Sequence, residues 1–229
     1  MSKRILYRPY SYVMLAFLIG LLVLVASLLF VGFVGLAFRR IGFSPQTTIL
    51  ILVATFVGSY INIPLLKVKT VIPVIREEYV SFFGVVFRIP QIECEEFSTT
   101  IALNVGGALI PIIVSVYLLW RFPLALPYAL AGTIAVAFIT HLVARPVKGL
   151  GIATPAFIPP LAAALMAYIL PSTAPAVIAY TSGVLGTLIG ADLTNLHKIP
   201  SLGAKIASIG GAGTFDGIFL SGIISTLLV

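Results

Sequence analysis

YVMLAFLIGLLVLVASLLFVGFVGLAF, Tyr12 to Phe38, runs for 27 residues without a charged side chain. A helix that crosses the ~30 Å hydrocarbon core of a bilayer needs about 20 such residues. Lys3, Arg4 and Arg8 precede the run, and Arg39-Arg40 follows it. A signal peptide starts in the same way, but its apolar region is about 7–15 residues long and ends at a small-residue cleavage site. This run is longer and ends in two arginines, so it reads as a retained membrane helix. The rest of the chain agrees. Of its 229 residues, 60% are hydrophobic and 9% charged, and the mean hydropathy is +1.16. Too few polar side chains remain to cover a water-exposed surface. The apolar runs do not alternate with polar residues as the strands of a membrane barrel do.

Working outward, the hydropathy pattern predicts an all-α, polytopic transmembrane bundle of about seven spans in a single membrane domain, 1–229. The expected spans are 12–38, 47–66, 99–120, 122–144, 156–170, 174–191 and 208–229. The fifth is short and begins near Pro159-Pro160, which leaves a re-entrant segment open. Placing the N-terminus in the cytoplasm puts eleven of the fourteen Lys and Arg residues on inside segments. Only Arg39, Arg40 and Arg121 then lie outside, which is the charge bias of cytoplasmic loops. The expected location is the cytoplasmic membrane, N-terminus inside. The net charge of +7, spread over loops, suits anionic lipid headgroups rather than nucleic acid. The bilayer is the expected partner, and self-association stays open.

Residues 67–98 form the one sizeable polar insertion. VIPVI (Val71–Ile75) and FFGVVF (Phe82–Phe87) flank REEYVS, which predicts a small cytoplasmic β-hairpin turning at the polar residues. It reads as a solvated loop or, more sharply, as an exposed edge strand able to pair with an extended peptide.

Four segments interrupt the apolar runs with Gly and Pro: GSYINIP (Gly58–Pro64), NVGGALIP (Asn104–Pro111), GLGIATPAFIPP (Gly149–Pro160) and IGGAGTFDG (Ile209–Gly217). Unwound backbone at membrane depth is tolerated only against protein or trapped water, so these segments point to a shared polar cavity. The chain holds only two aspartates, Asp192 and Asp216. On the predicted spans Asp216 falls about two turns inside the seventh, among Gly210, Gly211, Gly213 and Gly217. Asp192 ends the sixth, after Gly186 and Gly190. Both then lie toward one side, on antiparallel neighbours. An aspartate within a membrane helix costs about 2.5–3.5 kcal/mol on insertion scales, so it is kept for a reason. Two adjacent carboxyls sharing a proton can activate water and polarise a carbonyl. Competing structural roles are an N-cap for LTNLHK from Asp192, and pairing of Asp216 with Lys205 or with the amides of the glycine turn.

Other chemistries find less support. All five glutamates fall in the hairpin segment. His141 and His197 have no second ligand at zinc spacing. Ser182 lacks an evident base and sits in no nucleophile-elbow pattern. The lone Cys94 excludes an internal disulfide. No metal or organic cofactor is expected.

The chain resembles an uncharacterised family of prokaryotic polytopic membrane proteins, most strongly in GSYINIP, NVGGALIP and GTLIGADLTNL through GGAGTFDGIFLSGI. Its C-terminal third also looks like the intramembrane aspartyl proteases: presenilin, signal peptide peptidase and the prepilin peptidases. That resemblance implies that Asp192 matches the first catalytic aspartate and that Gly211-Ala212-Gly213 with Asp216 matches the G-x-G-D motif. Here two residues, Thr214 and Phe215, separate the last glycine from the aspartate. A counterpart of the Pro-Ala-Leu motif would come from Thr154-Pro155-Ala156-Phe157 or from Ala108–Pro111. The implied function is hydrolysis of membrane-embedded peptides by an Asp192/Asp216 dyad. Gly190, Gly211, Gly213, Thr214, Gly217, Asn104 and Pro155 would shape the site. The alternative is an ion- or proton-coupled transporter or channel with Asp216, Asn62, Asn104 and Thr214 around a broken-helix cation site. A scaffold whose glycines serve packing alone is the third reading.

Overall fold

A computed structural model gives the fold; it describes residues 12–83, 85–147, 151–211 and 216–229. Helix α1, Tyr12–Arg40, is followed by α2, Pro45–Gly58, then by strands β1, Asn62–Phe82, and β2, Val85–Asn104. After a π-helical turn at Val105–Leu109 come α3, Ile110–Arg121, and α4, Leu126–Val143. A two-stranded ribbon, β3 (Arg145–Val147) and β4 (Gly151–Ala153), leads to α5, Ile158–Ile169, and α6, Pro175–Thr187. A second π-helical turn, Leu188–Asp192, and a 3-10 segment, Leu193–Leu202, lead to β5, Ile206–Ile209, and α7, Gly217–Leu228.

Among the described residues, three helical stretches are long and apolar enough to cross a membrane: Met14–Arg40, Pro123–Val143 and Pro175–Pro200. Four more apolar helices are shorter. The twelve residues of α5 or of α7 extend about 18 Å, well short of ~30 Å of hydrocarbon. The expected second and third spans lose their polar-flanked ends to strand: Asn62–Leu66 joins β1 and Thr99–Asn104 joins β2. The expected seventh span loses Ser208 and Ile209 to β5, and its helix begins at Gly217. The all-α expectation is therefore corrected to a mostly helical fold with two small sheets. One is ordered β1-β2-β5 and the other β3-β4.

The hairpin also differs from the expected one. It is large, pairing Asn62 with Asn104 at its base and Phe82 with Val85 at its tip. Twenty residues per strand extend about 65 Å. The last paired residues are Phe82 and Val85, so the chain reverses beyond REEYVS, which lies within β1. A two-residue connection favours left-handed backbone, and Phe83 has φ 49°.

Helix α6 is the hub, packed by α3, α4, α5 and α7. Glycines allow the close approaches. A Cβ on Gly186 would lie 2.6 Å from Val136, and one on Gly222 would lie 2.5 Å from Val184. Such small-residue seams let membrane helices touch where lipid offers no hydrophobic drive. Helix α1 is the opposite case. Its apolar side chains are almost all exposed, and only its C-terminal end, with Val34, Ala37 and Phe38, is buried. Arg40 holds that end, its Nη1 donating to the Leu227 carbonyl at 2.9 Å and the Thr226 carbonyl at 3.3 Å, the C-terminal carbonyls of α7. Cations are favoured there by the helix dipole.

Candidate functional site

Asp192 closes the π-helical turn that continues α6. The extra residue in such a turn re-aims the side chains that follow. Asn195, fully buried, holds the loosened backbone, its Nδ2 donating to the carbonyls of Ala191 at 2.9 Å and Gly190 at 3.2 Å. Thr194 Oγ1 donates to the same Gly190 carbonyl at 2.8 Å and faces His141 Nδ1 at 2.8 Å. Lys198 Nζ in turn donates to Asn195 Oδ1 at 2.8 Å. Asp192 does not cap the segment that follows it. Its Oδ2 instead accepts from the Gly210 amide at 3.4 Å.

Asp216 stands at the N-cap of α7, not two turns inside a helix as the sequence pattern predicts. Asp216 itself has extended backbone, φ −79° and ψ 167°, and the helix begins at Gly217. Gly210-Gly211, with φ 83° and 78°, is a left-handed pair that only glycine adopts freely, and it follows directly on β5. Space is tight around the acid. A Cβ on Gly211 would lie 2.7 Å from Asp216 Oδ1, and one on Gly107 would collide with the Gly210 carbonyl and come within 3.1 Å of Asp216 Cβ. Among the described residues neither aspartate forms an ion pair.

Asp192 and Asp216 line one cavity of about 600 Å³. The Gly210-Gly211 pair links them: Asp192 Oδ2 accepts from the Gly210 amide, and Gly211 packs against the Asp216 carboxyl. Asn62, Thr154, Thr187, Ser208, Gly211 and Gly217 supply further wall, and the whole of β5 runs along it. As the outer strand of its sheet, β5 has no strand partner on its far edge among the described residues, and its Ser208 carbonyl accepts from the Gly211 amide at 3.3 Å. Thr187 Oγ1 donates to Ser221 Oγ at 3.0 Å, which links the walls contributed by α6 and α7.

Other sequence-derived candidates fall elsewhere. Gly190 packs against α4, where a Cβ would collide with the Ala137 carbonyl. Pro155 lies just before α5, its carbonyl accepting from the Ile158 amide at 3.3 Å. Gly213 and Thr214 lie outside the described residues. Asn104 is fully buried and ties three elements together. Its Nδ2 donates to the Ser59 carbonyl at 2.7 Å and to Asn62 Oδ1 at 3.1 Å, while its Oδ1 accepts from the Gly107 amide at 2.7 Å. Ser208 Oγ donates to Asn62 Oδ1 at 2.6 Å, carrying the network into the cavity. Thr187 and Ser208 were not singled out from sequence, since a lone hydroxyl in an apolar run carries no pattern. Among the described residues no group of three or more His, Cys, Asp or Glu is arranged to hold a metal ion.

No curated protein and no solved structure shows significant similarity to the chain. A family model described as "Protein of unknown function (DUF1614)" matches residues 56–228, which takes in both aspartates, the hairpin and every cavity wall named above. The chain belongs to that family.

Proposed function

We propose that the protein is an intramembrane aspartyl protease of the cytoplasmic membrane, with its N-terminus in the cytoplasm and Asp192 and Asp216 as its catalytic pair. The observation that carries this reading is that the only two aspartates of the chain, 24 positions apart, border one cavity. Hydrolysis needs no cofactor. One carboxylate takes a proton from water as the water oxygen attacks the peptide carbonyl carbon. The other carboxyl donates its proton to the carbonyl oxygen. Collapse of the tetrahedral intermediate then breaks the C–N bond, and the amine leaves with a proton returned by the pair. The substrate is a membrane-embedded peptide, unwound locally so that its backbone can lie against the outer edge of β5.

A lone-acid cation site at Asp216 would need no second acid beside it. Asp192 on the same cavity favours the pair. The test uses purified protein in liposomes with a pool of fluorescently labelled single-span peptides. Wild type should cleave members of the pool. Asp192→Asn and Asp216→Asn should each abolish cleavage while retaining the wild-type pattern of limited proteolysis. Normal cleavage by either variant would refute the dyad. Absence of cleavage, with cation or proton flux that vanishes in Asp216→Asn, would replace this reading with the transporter.

A further inference from the structure

The β1–β2 hairpin is far longer than the site requires. Its pairing with a third strand is confined to Thr100–Leu103, where β5 joins. Beyond that base the hairpin is only two strands wide, and every described side chain from Val71 to Ser98 is exposed. A two-stranded ribbon is marginal alone, and both of its edges present unpaired amides and carbonyls.

The charges along it differ by level and by strand. Near the base β1 carries Lys67 and Lys69, and the adjoining part of β2 carries Glu96. Near the tip the signs exchange: β1 carries Glu77 and Glu78, and β2 carries Arg88. Within one chain this yields the exposed pairs Lys69–Glu96 at 3.6 Å and Arg88–Glu77 at 3.4 Å. Between these levels β1 carries Arg76, opposite Gln91, and β2 carries Glu93 and Glu95.

Copies in one bilayer share an orientation, so equal levels of two hairpins meet. Edge β1 against edge β1 would set Lys67 and Lys69 against themselves, and Glu77 and Glu78 likewise. Edge β2 against edge β2 would oppose Glu96 to Glu96 and Arg88 to Arg88. Only β1 against β2 matches opposite charges at both levels, and it is also antiparallel. Like charges directly opposite on paired strands are destabilising, and opposite charges stabilise.

We propose that the hairpin is an assembly surface for a second copy of this chain, the β1 edge of one copy pairing antiparallel with the β2 edge of the next. The contact is head-to-tail, so it closes into a ring when the rotation permits, and closure leaves no free edge. The inference rests on the chain residing in a bilayer and is independent of the aspartates.

The test uses oxidative cross-linking with Cys94 replaced by Ser. Lys69→Cys and Ser98→Cys single variants, carrying tags of different size, are produced in one membrane and oxidised. Glu96→Cys serves as a second partner position, because a closed sheet staggers its strands. The control is one chain carrying both Lys69→Cys and Ser98→Cys, which are direct partners within the hairpin and so lie within disulfide reach. The expected result is a mixed dimer that exceeds both self-linked dimers severalfold. Adding Lys67→Glu to the Lys69→Cys chain should reduce that band severalfold, and adding Glu96→Lys to the Ser98→Cys chain should restore it. Self-linked dimers alone would overturn the head-to-tail pairing. No inter-copy band, with the control bridge formed, would overturn the assembly and leave the edges to a different partner.

Discussion

Removing one buried amide should loosen the link between the hairpin and the aspartates. Asn104→Ala deletes the side chain that joins the end of α2, the hairpin base and the turn before α3. Two backbone groups lose their partners in a site closed to water. The Ser59 carbonyl loses a 2.7 Å bond and the Gly107 amide loses another of 2.7 Å. A stranded buried donor or acceptor costs about 1–3 kcal/mol, so the expected loss is about 2–6 kcal/mol. At 2–4 °C per kcal/mol for a chain of this size, the unfolding midpoint in detergent falls by on the order of 10 °C. Gly107 packs against Gly210 and Asp216, so cleavage should fall as well. Asn62→Ala is the comparison. Asn62 is exposed, and water can replace the bonds from Ser208 and Asn104, so its loss should stay under about 1 kcal/mol. The assay is equilibrium unfolding of both variants in one detergent. An Asn104→Ala midpoint equal to that of Asn62→Ala would refute the argument that this network is a closed, water-free joint.

Further outcomes follow from the same geometry. Gly211→Ala places a side chain at φ 78°, costing about 1–2 kcal/mol in backbone strain, and sets its Cβ against Asp216; unfolding and cleavage assays should both show the loss. Gly203→Ala meets the same kind of strain at φ 73° with nothing within 4 Å, so stability should fall and cleavage should not. Gly190→Ala pushes a methyl group into the Ala137 carbonyl and should cost about 1–3 kcal/mol as overpacking, read as a lower midpoint. Arg40→Gln removes a charged donor from the last carbonyls of α7 and should cost about 1 kcal/mol, measured by unfolding, with cleavage intact.

Much of the architecture was legible locally. An uncharged run such as Tyr12–Phe38 has one stable conformation in a bilayer, because every backbone group must be satisfied within the segment. Hydropathy alone therefore located the longest helices. Short β-rich runs within a polar insertion point to a hairpin, but the pairing extends well beyond them, from Asn62–Asn104 to Phe82–Val85. Strand and helix compete for the same apolar residues at 59–66 and 99–104, and periodicity cannot separate them when the run is short. The competition is decided by pairing: Asn62 finds Asn104 across 42 residues, and Thr100–Leu103 finds β5 across more than a hundred.

The aspartates divide in the same way. Sequence alone marked them, since two acids in a chain this apolar have to be accommodated at a cost. It also placed Asp192 at the end of the sixth apolar segment and Asp216 about two turns inside the seventh. What it could not supply was that Asp216 stands at the N-cap position of α7, that a π-helical turn held by Asn195 carries Asp192, and that β5 runs beside both. Those features depend on left-handed glycines, on a helix-register change and on strand pairing between distant segments. Composition and spacing act through each residue's own neighbours and its solvent. The cavity exists only where elements far apart in the chain meet, and its shape is set by their contact.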